Sequence, residues 1–194
     1  KNDDVFSNSE LWIARKTPED KQFNYMHNEE DIIGHITSNE VVDFSGNAIS
    51  EDLEEAPEQF EIVTGAVIYK SWSSLERRER MDDLIQEIEE GKWFVSMECL
   101  FNNFDYAVVA PDGGNKVVAR NEGSAFLTKH LRSYGGNGEY EGHKLGRLLR
   151  NISFSGKGLV NKPANPRSII IDKNSSKAFV LEEDNSSNFY IGEL

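Results

Sequence analysis

The amino-acid sequence predicts an α+β domain built mainly from antiparallel strands, with two or three helices. Several short segments are rich in β-branched or alternating apolar residues and are separated by Gly, Pro, Asn and Asp, which is typical of strands and turns. One such turn, at residues 111–115, lies between two of these segments and predicts a hairpin. Helical spacing of apolar residues is clearest in residues 73–91 and 124–134.

The first third of the chain is predicted to contain strands and an exposed loop. The apolar stretch 11–14 and the segment 31–37 are expected to be short strands. Residues 39–49 are expected to form a strand and a turn, because a Ser-Gly-Asn sequence stands within them. The acidic segment 50–61 predicts an exposed loop, and the β-branched segment 60–69 predicts a strand.

The clearest helix is predicted at residues 73–91. Ser73 and Glu76 have the spacing of a capping box at its start, and Gly91 stands where a C-terminal cap belongs. The apolar segment 92–101 that follows predicts a buried strand.

The rest of the chain continues the same mixture. A hairpin is expected over residues 106–119 and a second helix over residues 124–134. Residues 148–160 have strand character, and the two prolines in residues 163–166 predict a rigid turn. Residues 168–172 are expected to form a last short strand.

Composition limits the function classes. The formal net charge is -13, which argues against a non-specific nucleic-acid binder because phosphate contacts need clustered Lys and Arg. No apolar run approaches the roughly 20 residues of a membrane span, and the first residues lack the apolar core of a signal peptide. The single cysteine, Cys99, excludes an internal disulfide and suits a reducing compartment, and no Cys and His pair has zinc-site spacing.

Ser96 is the candidate nucleophile. It is a lone hydroxyl among the apolar residues Phe94, Val95 and Met97 of a predicted strand. A polar side chain in such a strand needs a hydrogen-bond partner or a function. A core serine bonded to the backbone is the alternative, and the local residues alone leave both open.

Four histidines are candidates for the base that a serine nucleophile needs. His27 lies in a polar loop beside several carboxylates, an environment that suits a base near neutral pH. A solvated surface histidine is the alternative for that residue. His35 is expected to be a partly buried strand residue and His130 to pack on a helix, whereas His143 follows a Gly-rich loop that indicates no role.

Three sequence blocks favour His27 and Ser96 as a pair. Residues 26–36 place a His and a short acidic loop before an I-G-H-I strand, and residues 90–98 place a helix end, a glycine and a short strand before Ser96. Residues 152–166 end in G-L-V-N-K-P-A-N-P. In this order the blocks resemble the prohead (capsid maturation) serine proteases of bacteriophages, which are related to the herpesvirus assembly proteases.

The resemblance implies a fold and a domain organisation. The fold would be a small, mostly antiparallel β-barrel flanked by helices, in a protease domain over residues 1–172. Residues 105–147 would be an insertion that contains the hairpin and the second helix. Residues 173–194 would be a polar C-terminal tail.

The resemblance also implies a mechanism. His27 would take the proton from Ser96 as Ser96 attacks a peptide carbonyl, and water would then hydrolyse the acyl-enzyme. Backbone N–H groups would stabilise the tetrahedral intermediate. No metal and no organic cofactor are needed for this chemistry.

The third member of the triad is open. Relatives often have an acidic residue just before the L-V segment, where this chain has Gly-Lys-Gly at residues 156–158. Glu98 is the preferred substitute because it stands two residues after Ser96, and residues two apart on a strand project to the same face. Asp105 and Ser153 are the alternatives. The two glycines predict either a close backbone approach or a β-bulge.

The resemblance implies substrates and a location. The substrates would be scaffold or core proteins of the prohead, the major capsid protein and the protease itself, inside a prohead assembled in the host cytoplasm. A homo-oligomer is a further expected partner, and neither nucleic acid nor a membrane is expected. Two other function classes stay open: a non-catalytic structural protein of the phage head or tail with the same fold, and a cytosolic serine hydrolase of small esters or amides.

Self-cleavage would fall in the tail. Some tailed-phage relatives cut after a glutamate two residues beyond Leu or Ile, and this pattern occurs at Glu183 and Glu193. Exposed terminal segments suit a protease better than folded elements do. The same pattern at residues 85–87 is expected to be protected within the predicted helix.

Overall fold

The structure is an α+β fold with one mostly antiparallel sheet, as the sequence predicts. The computed structural model describes residues 3–163, 165 and 168–171. In chain order its elements are β1 (Asp4–Val5), α1 (Asn8–Ala14), β2 (Gln22–Tyr25), β3 (Asn28–Val42), β4 (Glu61–Ile68), α2 (Leu75–Glu89), β5 (Phe94–Val109), β6 (Asn115–Val118), two 3₁₀ helices (Ala125–His130 and Arg132–Tyr134), β7 (Glu139–Tyr140) and β8 (His143–Val160). None of the helices in this part of the chain is both long and apolar enough to cross a bilayer.

Strand β8 is the centre of the sheet. It pairs with the antiparallel β5 along nearly its whole length, and with the parallel β2 on its other edge. The strand order is β4-β3-β2-β8-β5-β6, with β1 and β7 also paired to β8. Among the described residues the two ends of this path do not pair, so the sheet is open and the predicted barrel closure is unconfirmed.

Residues 8–14 form helix α1, so the predicted strand at residues 11–14 is wrong. The Ser7 side chain accepts a hydrogen bond from the Glu10 amide and thereby caps the first turn. Trp12 and Ala14 are buried in the core. Four apolar residues are too few to distinguish a helical from a strand period, so the N-cap residue Ser7 was the more informative signal.

The second predicted helix is also different. Residues 124–134 form two short 3₁₀ helices, because the chain is extended at Leu131 between them. Leu131 is fully buried there. The first predicted helix is confirmed as α2, although its cap is Ser74, which accepts from the Arg77 amide, and not Ser73.

Most strand predictions are confirmed with different bounds. The segments predicted at 31–37 and 148–160 lie within the longer strands β3 and β8. Those predicted at 60–69 and 92–101 overlap β4 and β5, and the hairpin is formed by β5 and β6. The short strand β2 was not predicted. Residues 168–171 have no regular structure, so the last predicted strand is wrong over those residues.

Some predictions lie outside the described residues. These are the tail 173–194 with its cleavage sites Glu183 and Glu193, and part of the turn at 163–166. The third copy of the cleavage pattern, at residues 85–87, lies within α2 as predicted.

The β2–β8–β5 part of the sheet has one apolar face, which α2 covers. Phe23 of β2 and Leu159 of β8 form a buried cluster with Met81 and Leu84 of α2. Val95 of β5 packs against the same cluster. A larger core lies farther along β5 and β8, around Phe104, Tyr106, Leu149 and Phe154.

We expect Leu159→Ala to destabilise the domain by about 2–5 kcal/mol, because Leu159 is fully buried beneath α2. Urea unfolding measures this change in the free energy of unfolding. Leu100→Ala on β5 is the control, because Leu100 is 65% exposed and its loss should change that free energy by less than about 0.5 kcal/mol. Equal effects of the two substitutions would contradict the packing of α2 on this face.

Candidate active site

Three adjacent strands bring the predicted site residues together on the face opposite α2. In the register of the sheet, Gly158 of β8 lies opposite Ser96 of β5 and beside Asn24 of β2. Two residues along β8, Gly156 lies opposite Glu98. Because alternate residues of a strand project to the same face, Ser96 and Glu98 share a face, as the sequence predicts.

His27 reaches this face from the turn between β2 and β3. Its Nδ1 lies 2.9 Å from Glu98 Oε1, and the same oxygen accepts a hydrogen bond from Asn24 Nδ2 at 2.7 Å. The Glu98 side chain is 17% exposed and that of His27 is 41% exposed. The carboxylate is therefore mostly shielded from water, while the imidazole remains accessible to solvent.

The two glycines of β8 make room for these side chains. A Cβ on Gly158 would lie 2.7 Å from His27 Nδ1, and a Cβ on Gly156 would lie 2.9 Å from Glu98 Oε2. The sequence left a close approach and a β-bulge open for this segment. The structure shows a close approach by side chains, and the β-bulge lies one step away, where the pairing shifts between Glu98 and Cys99.

Ser96 is adjacent to the imidazole, but the two are not hydrogen-bonded. Facing Cβ atoms of paired strands are roughly 5 Å apart. The Ser96 side chain therefore lies next to the His27 ring, which covers Gly158. Among the described residues, none bonds to the Ser96 hydroxyl. Catalytic hydrogen bonds are often long in free enzymes and shorten in the reacting complex.

Glu98 is the electrostatic centre of the cluster. The hydrogen bond with His27 lowers the pKa of Glu98 most, burial raises it, and hydrogen bonds from Asn24 and Gln22 lower it further. A carboxylate that stays ionised can accept the Nδ1–H of His27. That hydrogen bond leaves Nε2 free to accept a proton from a nucleophile.

The turn that presents His27 has an unusual backbone. Met26 and His27 have φ of 55° and 60°, and the paired residues Tyr25 and Asn28 close the two-residue turn. Hairpin turns with two positive φ values favour Asn-Gly. His is tolerated at positive φ, whereas Met rarely adopts it. The sequence predicted only a polar loop here. Such strained positions concentrate at functional sites.

The alternative third residues do not reach His27. Asp105 pairs with Arg150 at 2.9 Å and accepts from the Arg120 amide. It lies seven residues along β5 from Glu98, which is roughly 20 Å. Ser153 lies opposite Leu100, away from the glycines.

The other histidines and the cysteine have structural surroundings. His35 Nδ1 bonds to the Tyr69 hydroxyl at 2.9 Å, and the His130 ring packs on Tyr140. His143 bonds to a backbone carbonyl. Burial raises the pKa of the Cys99 thiol to about 11, so this thiol is not a nucleophile near neutral pH.

No protein-family model, curated protein or solved structure matches this chain. Within the described residues, no group of three or more His, Cys, Asp or Glu side chains could hold a metal ion. The arrangement of Ser96, His27 and Glu98 is therefore what bears on function.

We expect Gly158→Ala to separate activity from stability. The added Cβ would displace the imidazole, which is exposed enough to swing outward, so the free energy of unfolding should change by less than about 1 kcal/mol. The loss of the His27–Glu98 contact should slow labelling of Ser96 by a fluorophosphonate at least about 100-fold.

Gly123→Ala is the control for this substitution, since a Cβ there meets only the Asn121 side chain at 3.3 Å. It should change neither quantity. A folded Gly158→Ala variant that labels at the wild-type rate would contradict the placement of His27.

We expect Met26→Asn to stabilise the protein by about 0.5–1 kcal/mol, because Asn tolerates positive φ better than Met. Met26 is 43% exposed, so little packing is lost. Met26→Val should destabilise the protein, since a β-branched residue is strained at this φ. Thermal unfolding compares the two, and the reverse order of melting temperatures would disprove the left-handed turn.

Proposed function

We propose that this chain is a serine endopeptidase with Ser96 as nucleophile, His27 as general base and Glu98 as the residue that orients the base. The observation that supports this most is the position of the His27 ring. It bonds to Glu98 and packs against Gly158, the residue that faces Ser96. Acyl transfer to a serine requires a nucleophile, a base next to it and an acid that orients the base.

The proposed chemistry moves one proton through His27 in each half of the reaction. His27 Nε2 takes the Ser96 proton as Oγ bonds to the peptide carbonyl carbon, and then gives that proton to the leaving amine. In the second half, His27 takes a proton from the water that attacks the acyl-enzyme and gives it to Ser96 Oγ as the new carboxyl group leaves. Glu98 stays ionised throughout and stabilises the positive charge on the imidazole ring.

The register of β5 and β8 supports Glu98 as the orienting acid. The family resemblance implies an acid just before the L-V segment, where this chain has residues 156–158 without one. Glu98 faces Gly156 across the two strands, so its carboxylate reaches the same place from the neighbouring strand. The absence of a side chain at Gly156 is what leaves space for Glu98 Oε2.

The biological role in the proposal follows from the resemblance to prohead maturation proteases. The substrates are scaffold or core proteins, the capsid protein and the protease itself, cleaved inside the prohead. A closed barrel, which the same resemblance implies, would require further contacts between β4 and β6, the two ends of the strand path.

A second candidate is a non-catalytic structural protein of the phage head or tail. The observation that favours it is the Ser96 hydroxyl, which is not bonded to His27 among the described residues. This candidate predicts that Ser96 does not react with a fluorophosphonate.

We expect a fluorophosphonate to label the wild-type protein at Ser96 and not to label Ser96→Ala. His27→Ala should label at least about 100-fold more slowly, because the base is lost. His35→Ala is the matched control, since His35 bonds to Tyr69 and should affect stability more than labelling. Mass spectrometry identifies the labelled residue and its rate.

An unlabelled wild-type protein that is folded would refute the enzyme proposal in favour of the structural candidate. Wild-type cleavage of prohead scaffold protein, lost in Ser96→Ala, would establish the peptidase. Turnover of small esters without scaffold cleavage would instead indicate a small-molecule hydrolase.

A further inference from the structure

Asn24 is fully buried, and half of its amide has no partner. Its Nδ2 donates to Glu98 Oε1 at 2.7 Å. Its Oδ1 is buried and, among the described residues, accepts no hydrogen bond. Such an arrangement is unfavourable, so another interaction must hold the amide in this orientation.

The charge on Glu98 explains the orientation. A flipped Asn24 amide would point Oδ1 at the Glu98 carboxylate, and an ionised carboxylate only accepts hydrogen bonds. The side chain therefore keeps Nδ2 toward Glu98 and leaves Oδ1 unpaired. Asn24 is a donor that is matched to the ionised form of Glu98.

The backbone around Asn24 is adapted to this contact. The pairing of β2 with β3 shifts register on both sides of Asn24, whereas its pairing with β8 is regular. Irregularities of this kind commonly re-aim a side chain beside a functional site. An aliphatic residue at this buried strand position would pack without an orphaned acceptor.

We propose that Asn24 is a positioning residue that keeps Glu98 charged and directed at His27 Nδ1. The effect on catalysis rests on the proposed function, but the effect on Glu98 does not. The groups that face Glu98 are His27 from the turn, Asn24 and Gln22 from β2, and the glycines of β8. Of these groups His27 is titratable, whereas the amides of Asn24 and Gln22 are neutral. Asn24 can therefore be changed without removing a charge.

The test uses Asn24→Leu, which keeps the branching at Cγ, is somewhat larger and removes the donor. A hydrogen bond to a carboxylate is lost while its burial remains, so the pKa of Glu98 should rise by about one unit or more. Carbon-13 NMR titration of the Glu98 carboxyl measures this shift. Labelling of Ser96 by a fluorophosphonate should slow by about 10- to 100-fold, which is the usual effect of removing a hydrogen-bond partner that orients a functional side chain.

Asn39→Leu is a matched control. Asn39 also donates through Nδ2, to the Arg15 carbonyl, and also has a buried Oδ1 without a partner among the described residues. Its loss should lower stability without moving the Glu98 titration. A purely structural role for Asn24 predicts the same result for Asn24→Leu.

Asn24→Asp is the second variant and keeps the shape of the side chain. It places a carboxyl in place of the donor, and two carboxyls so close cannot both ionise readily, so one carboxyl of the pair should titrate above the usual carboxyl range. An unchanged Glu98 titration in a folded Asn24→Leu variant, or the absence of a raised carboxyl titration in a folded Asn24→Asp variant, overturns the proposal. A shifted titration in a protein whose Ser96 never labels would refute the enzyme and leave the inference about Asn24 standing.

Discussion

The hydrogen bond between His27 and Glu98 is the interaction on which the site depends, and it exists because two residues of β8 lack side chains. His27 and Glu98 come from opposite sides of β8 and meet above Gly156 and Gly158. Any Cβ at Gly158 would occupy the place of the imidazole. The glycines are required here for space, since neither has a backbone conformation that demands glycine.

The fold holds both partners of that bond in position. Alternation along β2, β8 and β5 directs Phe23, Leu159 and Val95 toward α2, so Asn24, Gly158 and Ser96 lie on the opposite face. The strand that follows His27 is tied to α2 by Arg80, whose guanidinium makes two hydrogen bonds to Asp31, at 2.9 and 2.6 Å. Arg80 also lies over the ring of Tyr25, just before the turn. His27 therefore lies at the end of a hairpin whose strands are held against α2.

The sequence was informative where local chemistry decides the structure. The i, i+2 spacing of Ser96 and Glu98 predicted their shared face, and the period and end signals of α2 predicted that helix. Strand β2 was missed because it is only four residues long and one of its two partner strands, β8, lies more than 130 positions away. Asn24 was missed for the same reason, since its partner Glu98 is 74 residues distant. The turn at Met26 and His27 lacks the residues that usually signal it.

In the proposed site Glu98 acts through His27 on Ser96, so that the three residues form one unit. A double-mutant cycle on the rate of Ser96 labelling by a fluorophosphonate measures this coupling. We expect Glu98→Gln to slow labelling at least about 10-fold in the wild-type protein and less than about 2-fold in a His27→Ala background. Equal slowing by Glu98→Gln in both backgrounds would show that Glu98 and His27 act independently and would disprove the proposed unit.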